Sequence, residues 1–209
     1  MSKNFEAAML RRHACKRFDE GKKLSDEEIR SIVDVGRNSP SSFGIEPWKF
    51  LVISNNELRA KLRPYCWDQE QITSSSHLVV FLASISGVRP DSGIPHARLG
   101  RRGLPQEQLD AYVKRYATFL ADAFSSDEKT FCWSARQTYI AAANMMTYAA
   151  TKGIDSCPME GFEKKRVEEI LELDPKEYQV ALLVAFGHRV REPRPKTRLP
   201  LEEVAVFLY

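Results

Sequence analysis

Basic side chains crowd both ends of this 209-residue chain. Arg11, Arg12, Lys16 and Arg17 lie near one end, and Arg189, Arg191, Arg194, Lys196 and Arg198 near the other. Forked guanidinium and compact ammonium groups are suited to binding anions, above all phosphate. Two arrangements are open: two solvated basic faces, or one anion site built where the ends meet in space. The four cysteines (Cys15, Cys66, Cys132, Cys157) have no CxxC spacing, so neither a zinc knuckle nor a thioredoxin-type motif is present. They are expected to be reduced and partly buried. The histidines at 13, 77, 96 and 188 are scattered without an HExxH, and no metal site is expected. GxGxxG and Walker loops are absent, which removes the main sequence support for a Rossmann dinucleotide fold and for a P-loop enzyme.

Thirty-one basic against 28 acidic residues give +3, too near balance to imply nucleic acid. The aromatic interleaving that single-strand binding uses is missing. Hydrophobic content of 43% and charged content of 28% exclude a disordered, collagen-like or disulfide-rich chain. No apolar run reaches the roughly 18 residues of a membrane span, and the N-terminus has no secretory apolar core. The expectation is one soluble, cytoplasmic domain over residues 1–209 that binds neither nucleic acid nor membrane.

Periodicity predicts alternating helices and strands. Residues 4–16 are helical in their first part. Ser25-Asp-Glu-Glu28 is a capping box leading into a helix with Ile29, Ile32, Val33 and Gly36 on one face, ending near Asn38 ahead of Pro40. Ser39 to Trp48 is a loop rich in hydroxyls, Gly and Pro. Strands are predicted at 48–54, 78–84, 155–159 and 179–186, and helices at 56–64, 106–123, 133–152 and 163–173. The alanines of the 133–152 helix fit a central or dimer-interface position, and Gly153 fits its C-cap. Gly87 to Gly103 reads as a long irregular surface loop. Pro193, Pro195 and Pro200 make the tail extended. The β-prone VAVFLY end at 204–209 calls for burial, with a partner subunit as the expected cover.

Four ordered segments resemble the FMN-dependent NAD(P)H nitroreductase family across about residues 10–200. They are Arg12-His13-x-x-Lys16-x-Phe18-Asp19, Ser39-Pro40-Ser41-Ser42 with Pro47-Trp48, Pro158-x-Glu160-Gly161-Phe162, and Gly187-His188 followed by Lys196-x-Arg198. The resemblance implies an α+β fold: a central, mainly antiparallel sheet flanked by helices, in an intertwined homodimer that exchanges C-terminal segments and holds two FMN at its interface. It places Arg12, His13, Lys196 and Arg198 at the phosphate and its neighbourhood, and leaves Arg17, Arg189, Arg191 and Arg194 as surface residues. It places Lys16 at the flavin N1–O2 edge, where a fixed cation favours the reduced state. Pro40, Ser41 and Ser42 would cover the flavin from the other subunit. Pro158, Glu160 and Gly161 would lie along the ring, with a backbone N–H toward N5 and Glu160 acting through its main chain.

The chain departs from the common family pattern in several places. Ala14 stands where a serine is usual, and Gly44 and Glu46 stand where Asn and Gln are common. Asp68 and Gln71 replace an Asn and a Lys near the pyrimidine edge. Gln71 keeps the ability to hydrogen-bond a ring carbonyl, whereas Asp68 facing a reduced, anionic flavin is unfavourable. Phe119 falls where the family places a substrate-side aromatic, and a core aromatic on an amphipathic helix explains it equally well. The implied activity is ping-pong: NADH or NADPH reduces the flavin through N5, and a nitroaromatic, nitroheterocycle or quinone then takes two electrons. The alternatives are another flavin reaction on the same fold (enone or dihydropteridine reduction, dehalogenation) and a non-enzymatic flavin-binding regulator.

Overall fold

A computed structural model describes the backbone of residues 2–209 and the side chains from Phe5 onward. Four strands, β1 (Trp48–Ile53), β2 (His77–Ser84), β3 (Asp155–Met159) and β4 (Tyr178–Gly187), form a sheet of order β1-β2-β4-β3. Every neighbouring pair is antiparallel: Trp48 opposes Ala83, His77 opposes Phe186, and Asp155 opposes Gly187. The apolar runs of β2 and β4 are continuous because both faces of the sheet are covered. Val79, Phe81, Leu182, Val184 and Phe186 face one helical layer, and Leu78, Val80, Leu82, Leu183 and Ala185 face the other.

The first layer contains α1 (Ser2–Arg11), α2 (Asp26–Arg37) and the long α7 (Asp127–Thr151). The capping box forms as expected: Glu28 N–H donates to Ser25 Oγ at 3.2 Å, and Ser25 N–H to Glu28 Oε2 at 2.8 Å. Gly36 lets α2 approach α7 closely; a Cβ there would meet Met145 Cε at 1.8 Å. α7 ends in Gly153 at φ +77°, with Ile154 N–H donating to Ala149 O. The opposite layer contains α3 (Asn56–Leu62), α4 (Gln71–Ser74) and α8 (Lys164–Ile170).

Three elements differ from the sequence expectation. Gly87–Gly103 is not an irregular loop: two 3-10 turns lead through Gly93 (φ +74°) into α5 (Ile94–Gly100). α5 pairs with α6 (Gln106–Phe119), and Leu99, Leu109 and Tyr116 join Ile45, Leu120 and Trp133 in a third apolar cluster. α7 begins at Asp127 rather than near 133, because Ser126 caps it by accepting from Lys129 N–H and two acidic residues fill its first turn. The C-terminal end is not a strand here. A single turn, α9 (Leu201–Val204), precedes an exposed apolar segment in which Leu208 is 92% accessible.

Candidate active site

The segment after α1 runs beside β3. Ala14 forms a parallel bridge to Ser156, and Cys15 N–H donates to Ser156 O at 3.0 Å. Ala14 thus contributes backbone pairing, and the hydroxyl it lacks is not supplied by Ser156, whose buried Oγ has no partner among the described residues. The same bridge sets Lys16 alongside Cys157, with Nζ 3.7 Å from Sγ.

The two basic ends do meet. Lys196 donates to Met9 O and lies close enough to Arg12 and Arg198 to feel their charges. Desolvation first, and then those two guanidinium groups, hold the Lys196 ammonium below the usual lysine range. Among the described residues, Arg12, Lys16, Lys196 and Arg198 have no carboxylate partner, and neither do Arg191 and Arg194, whereas Arg11, Arg17 and Arg189 do. Arg17 pairs with Glu70 at 3.0 Å. Arg189 is not a free surface residue. It reaches the buried Asp155 through its N–H at 3.0 Å and its guanidinium at 3.3 Å, and it also pairs with Glu192. His13 turns Nδ1 toward Asp155 Oδ1 across 3.9 Å, too far for a hydrogen bond. Three neighbouring cations without an ion pair to a carboxylate among the described residues are the kind of donor set a dianion needs.

Pro158 sits in β3, an edge strand where its missing N–H is tolerated. Glu160 and Gly161 follow. The Glu160 carboxylate accepts from the Tyr139 hydroxyl of α7, which occupies it. Gly161 is the centre of a tight turn closed by Phe162 N–H on Glu160 O at 3.0 Å, and its own N–H has no acceptor among the described residues. A Cβ on Gly161 would meet the Trp67 indole at 2.5 Å, so only glycine lets that ring lie against it. Trp67 and Asp68 are both left-handed, at φ 55° and 49°.

Gln71 and Asp68 both make contacts inside the chain. Both amide protons of the buried Gln71 have acceptors inside the chain, Gln69 Oε1 at 2.9 Å and Cys157 Sγ at 3.7 Å. Asp68 is not an isolated charge: Arg63 Nε donates to its carbonyl at 3.3 Å and lies 4.0 Å from its carboxylate. Gln69, which carried no sequence signal, donates to Gly161 O at 2.9 Å and Cys66 O at 3.0 Å.

Pro40, Ser41, Ser42, Gly44 and Phe119 form a separate group. Gln137 accepts from Ser42 N–H at 2.9 Å, and Ser41 Oγ accepts from Glu46 N–H at 2.9 Å. Phe43, Gly44 and Glu46 all have positive φ, which is strained at Phe43 and Glu46 and free at Gly44. Arginines around α5 hold it in place. Arg98 donates to Ile45 O and Glu46 O, Arg101 pairs with Glu46 at 2.6 Å, and Arg102 donates to Phe43 O at 2.7 Å. These clamps were invisible in the sequence. Phe119 is not a core aromatic: it is 71% exposed and touches Phe43 with ring centres 5.7 Å apart. No hydrogen bond or ion pair among the described residues joins this group to Arg12–Lys16 or to Glu160–Gly161.

The Nitroreductase family model matches residues 9–188, which include Lys16, the Ser39–Trp48 loop and Gly161. The chain belongs to the Nitroreductase family. "Putative NAD(P)H nitroreductase YfkO" of Bacillus subtilis is 42% identical over 207 residues, covering 94% of each chain. A nitroreductase-like protein from Streptococcus mutans superposes with a TM-score of 0.89 at 17% identity, over 100% of both chains. A structure from Exiguobacterium sibiricum, solved in complex with FMN, superposes with a TM-score of 0.83 at 24% identity, over 98% of this chain and 97% of that one. The nitroreductase-like fold is therefore the fold of this chain.

Proposed function

We propose that this member of the Nitroreductase family binds FMN and uses NADH or NADPH to reduce flat, electron-poor acceptors: nitroaromatics, nitroheterocycles or quinones. The observation that carries the reading is that Lys196 of the C-terminal segment bonds Met9 O of α1, within reach of the charges of Arg12 and Arg198, and that none of the three pairs with a carboxylate among the described residues. FMN, when bound, supplies the redox chemistry, taking two electrons from NAD(P)H and releasing them to the acceptor. Arg12, Lys196 and Arg198 hold its phosphate. Lys16 keeps a positive charge at the N1–O2 edge, where negative charge develops. The Gly161 N–H, which has no acceptor among the described residues, would serve as the donor to N5. Pro158 and Glu160 position that peptide, with one Glu160 oxygen accepting from Tyr139, and Glu160 contributes through its main chain. Phe119, exposed beside Phe43, lines the acceptor side.

The reading includes a homodimer. The loop of Pro40, Ser41, Ser42 and Gly44 is held on the α5–α6 side and lacks a bond to the Lys16 group, which fits a site completed by the loop of a second subunit. β1 is an edge strand, and beside it a groove of about 870 Å³ has apolar walls at Ile29, Val33, Val52 and Tyr148 and a charged rim that includes Asp26, Arg30, Asp34 and Arg37. That groove contains none of the site residues above, and the apolar tail Val206–Tyr209 of a partner suits it. No helix among the described residues is long and apolar enough to cross a membrane. The free state of all four cysteines fits a cytoplasmic setting. Steady-state kinetics with NADPH and a nitroaromatic test the reading. Parallel double-reciprocal lines are expected; no acceptor-dependent NAD(P)H consumption would refute it. A monomer at micromolar concentration in sedimentation would refute the dimer.

A further inference from the structure

A continuous line of polar contacts runs through the interior between Lys16 and Gly161. Lys16 Nζ and Gln71 Nε2 both approach Cys157 Sγ at 3.7 Å. Gln71 Nε2 also donates to Gln69 Oε1 at 2.9 Å, and Gln69 Nε2 donates to Gly161 O at 2.9 Å. Cys157 is fully buried in β3, and Gln71 is buried in α4. We infer that Cys157 and Gln69 are positioning residues, which lock Lys16 and Gly161, the two groups that address opposite edges of the flavin ring, at a fixed separation. The inference rests on the FMN reading above.

The choice of sulfur at position 157 has a physical consequence. Burial pushes the Cys157 thiol up, and the pull of the Lys16 ammonium and the Gln71 amide does not reverse this, so it stays neutral. A neutral thiol is a weak acceptor. It orients one N–H of the lysine without forming an ion pair that would neutralise the cation. The full charge and the remaining protons of Lys16 stay available to the ligand. A carboxylate there would cancel that charge, and an aliphatic side chain would leave the four-carbon stem free to swing into solvent, since Lys16 is otherwise exposed. At the other end, the Gly161 turn is tied down at its carbonyl by Gln69, which leaves the N–H as its free pole.

The test measures the dissociation constants of oxidised and reduced FMN on the full protein, the second through the midpoint potential of the bound flavin. Cys157→Val stays apolar, adds about one methyl group, and removes the acceptor. It is expected to weaken reduced FMN relative to oxidised FMN by about threefold to tenfold, a potential fall of about 15–30 mV for two electrons. Cys157→Ser restores an acceptor and should return the potential to within about 10 mV of the wild type. In a Lys16→Met background, Cys157→Val should produce no further shift. Gln69→Met, a substitution outside the packed core, should weaken oxidised FMN about threefold, the loss expected for one neutral hydrogen bond. An unchanged potential in Cys157→Val, a shift that persists without Lys16, or unchanged affinity in Gln69→Met would overturn the inference alone. A wild-type protein that takes up no FMN would overturn the cofactor reading and this inference with it.

Discussion

Arg12→Ala separates an anion site from a structural charge cluster, because the two assignments predict opposite signs. In the free protein, Arg12 contributes repulsion: with Arg198 it helps hold the Lys196 ammonium below its usual range, after desolvation. It has no carboxylate partner among the described residues to lose. Removing it therefore leaves the stability of the free protein unchanged or raises it, within the roughly 0.5 kcal/mol typical of surface substitutions. In the FMN complex the same guanidinium donates to phosphate. A hydrogen bond to a charged group contributes about 1.5–3 kcal/mol, so the FMN dissociation constant should rise about 10- to 150-fold. The wild-type affinity should also fall with added salt, and the variant's should fall less steeply. Flavin fluorescence titration gives the constants, and thermal melts of the stripped proteins give the stabilities. A dissociation constant within twofold of wild type, or a free protein destabilised by more than about 1 kcal/mol, would refute the phosphate assignment.

Thiol labelling at pH 8 should modify Cys132 first, since it is the exposed cysteine. Burial pushes Cys15 up to about 11 and Cys66 up to about 12, leaving them neutral, and stoichiometric labelling of the native protein at two or more sites would contradict the burial described. His77 is held below its ordinary 6.5, first by burial and then by the Arg59 charge. Below pH 6.5 the unfolded chain binds a proton that the folded one refuses, so stability should fall as pH drops from 6.5 toward the lower folded value. His77→Gln should flatten that part of the melting profile, and an unchanged slope would reject the assignment. Phe119→Ala should raise KM for a nitroaromatic severalfold while leaving FMN affinity unchanged, because Phe119 touches Phe43 and none of the flavin-side residues; equal loss of both would place it elsewhere.

The elements that the sequence made legible are those with local causes. The Ser25–Glu28 capping box, the continuous apolar runs of β2 and β4, and Gly153 closing α7 each act within a few residues. α5 was missed because its Gly and Pro content masks a helix whose stability comes from Leu99 packing on α6. The C-terminal segment was read as β-prone, yet a strand needs a neighbour, and this chain offers it none of its own. For the candidate site, the ordered motifs pointed to Arg12, Lys16, Gly161, Lys196 and Arg198, which the structure leaves without carboxylate partners or, for the Gly161 N–H, without an acceptor among the described residues. Gln69 and the clamps Arg98, Arg101 and Arg102 were not legible, since their partners, backbone carbonyls or, for Arg101, the Glu46 carboxylate, lie more than thirty positions away. Gln71 and Asp68 were placed by spacing alone, which says nothing about whether their polar atoms are already taken.

The most direct test of the account is an absorbance spectrum of the purified protein, followed by anaerobic titration with NADH and with NADPH. The account predicts a two-band flavin spectrum, one FMN per chain, and bleaching by at least one of the two donors that reverses when a nitroaromatic is added. A colourless protein that takes up no added FMN, or a bound flavin that neither donor bleaches, would contradict it.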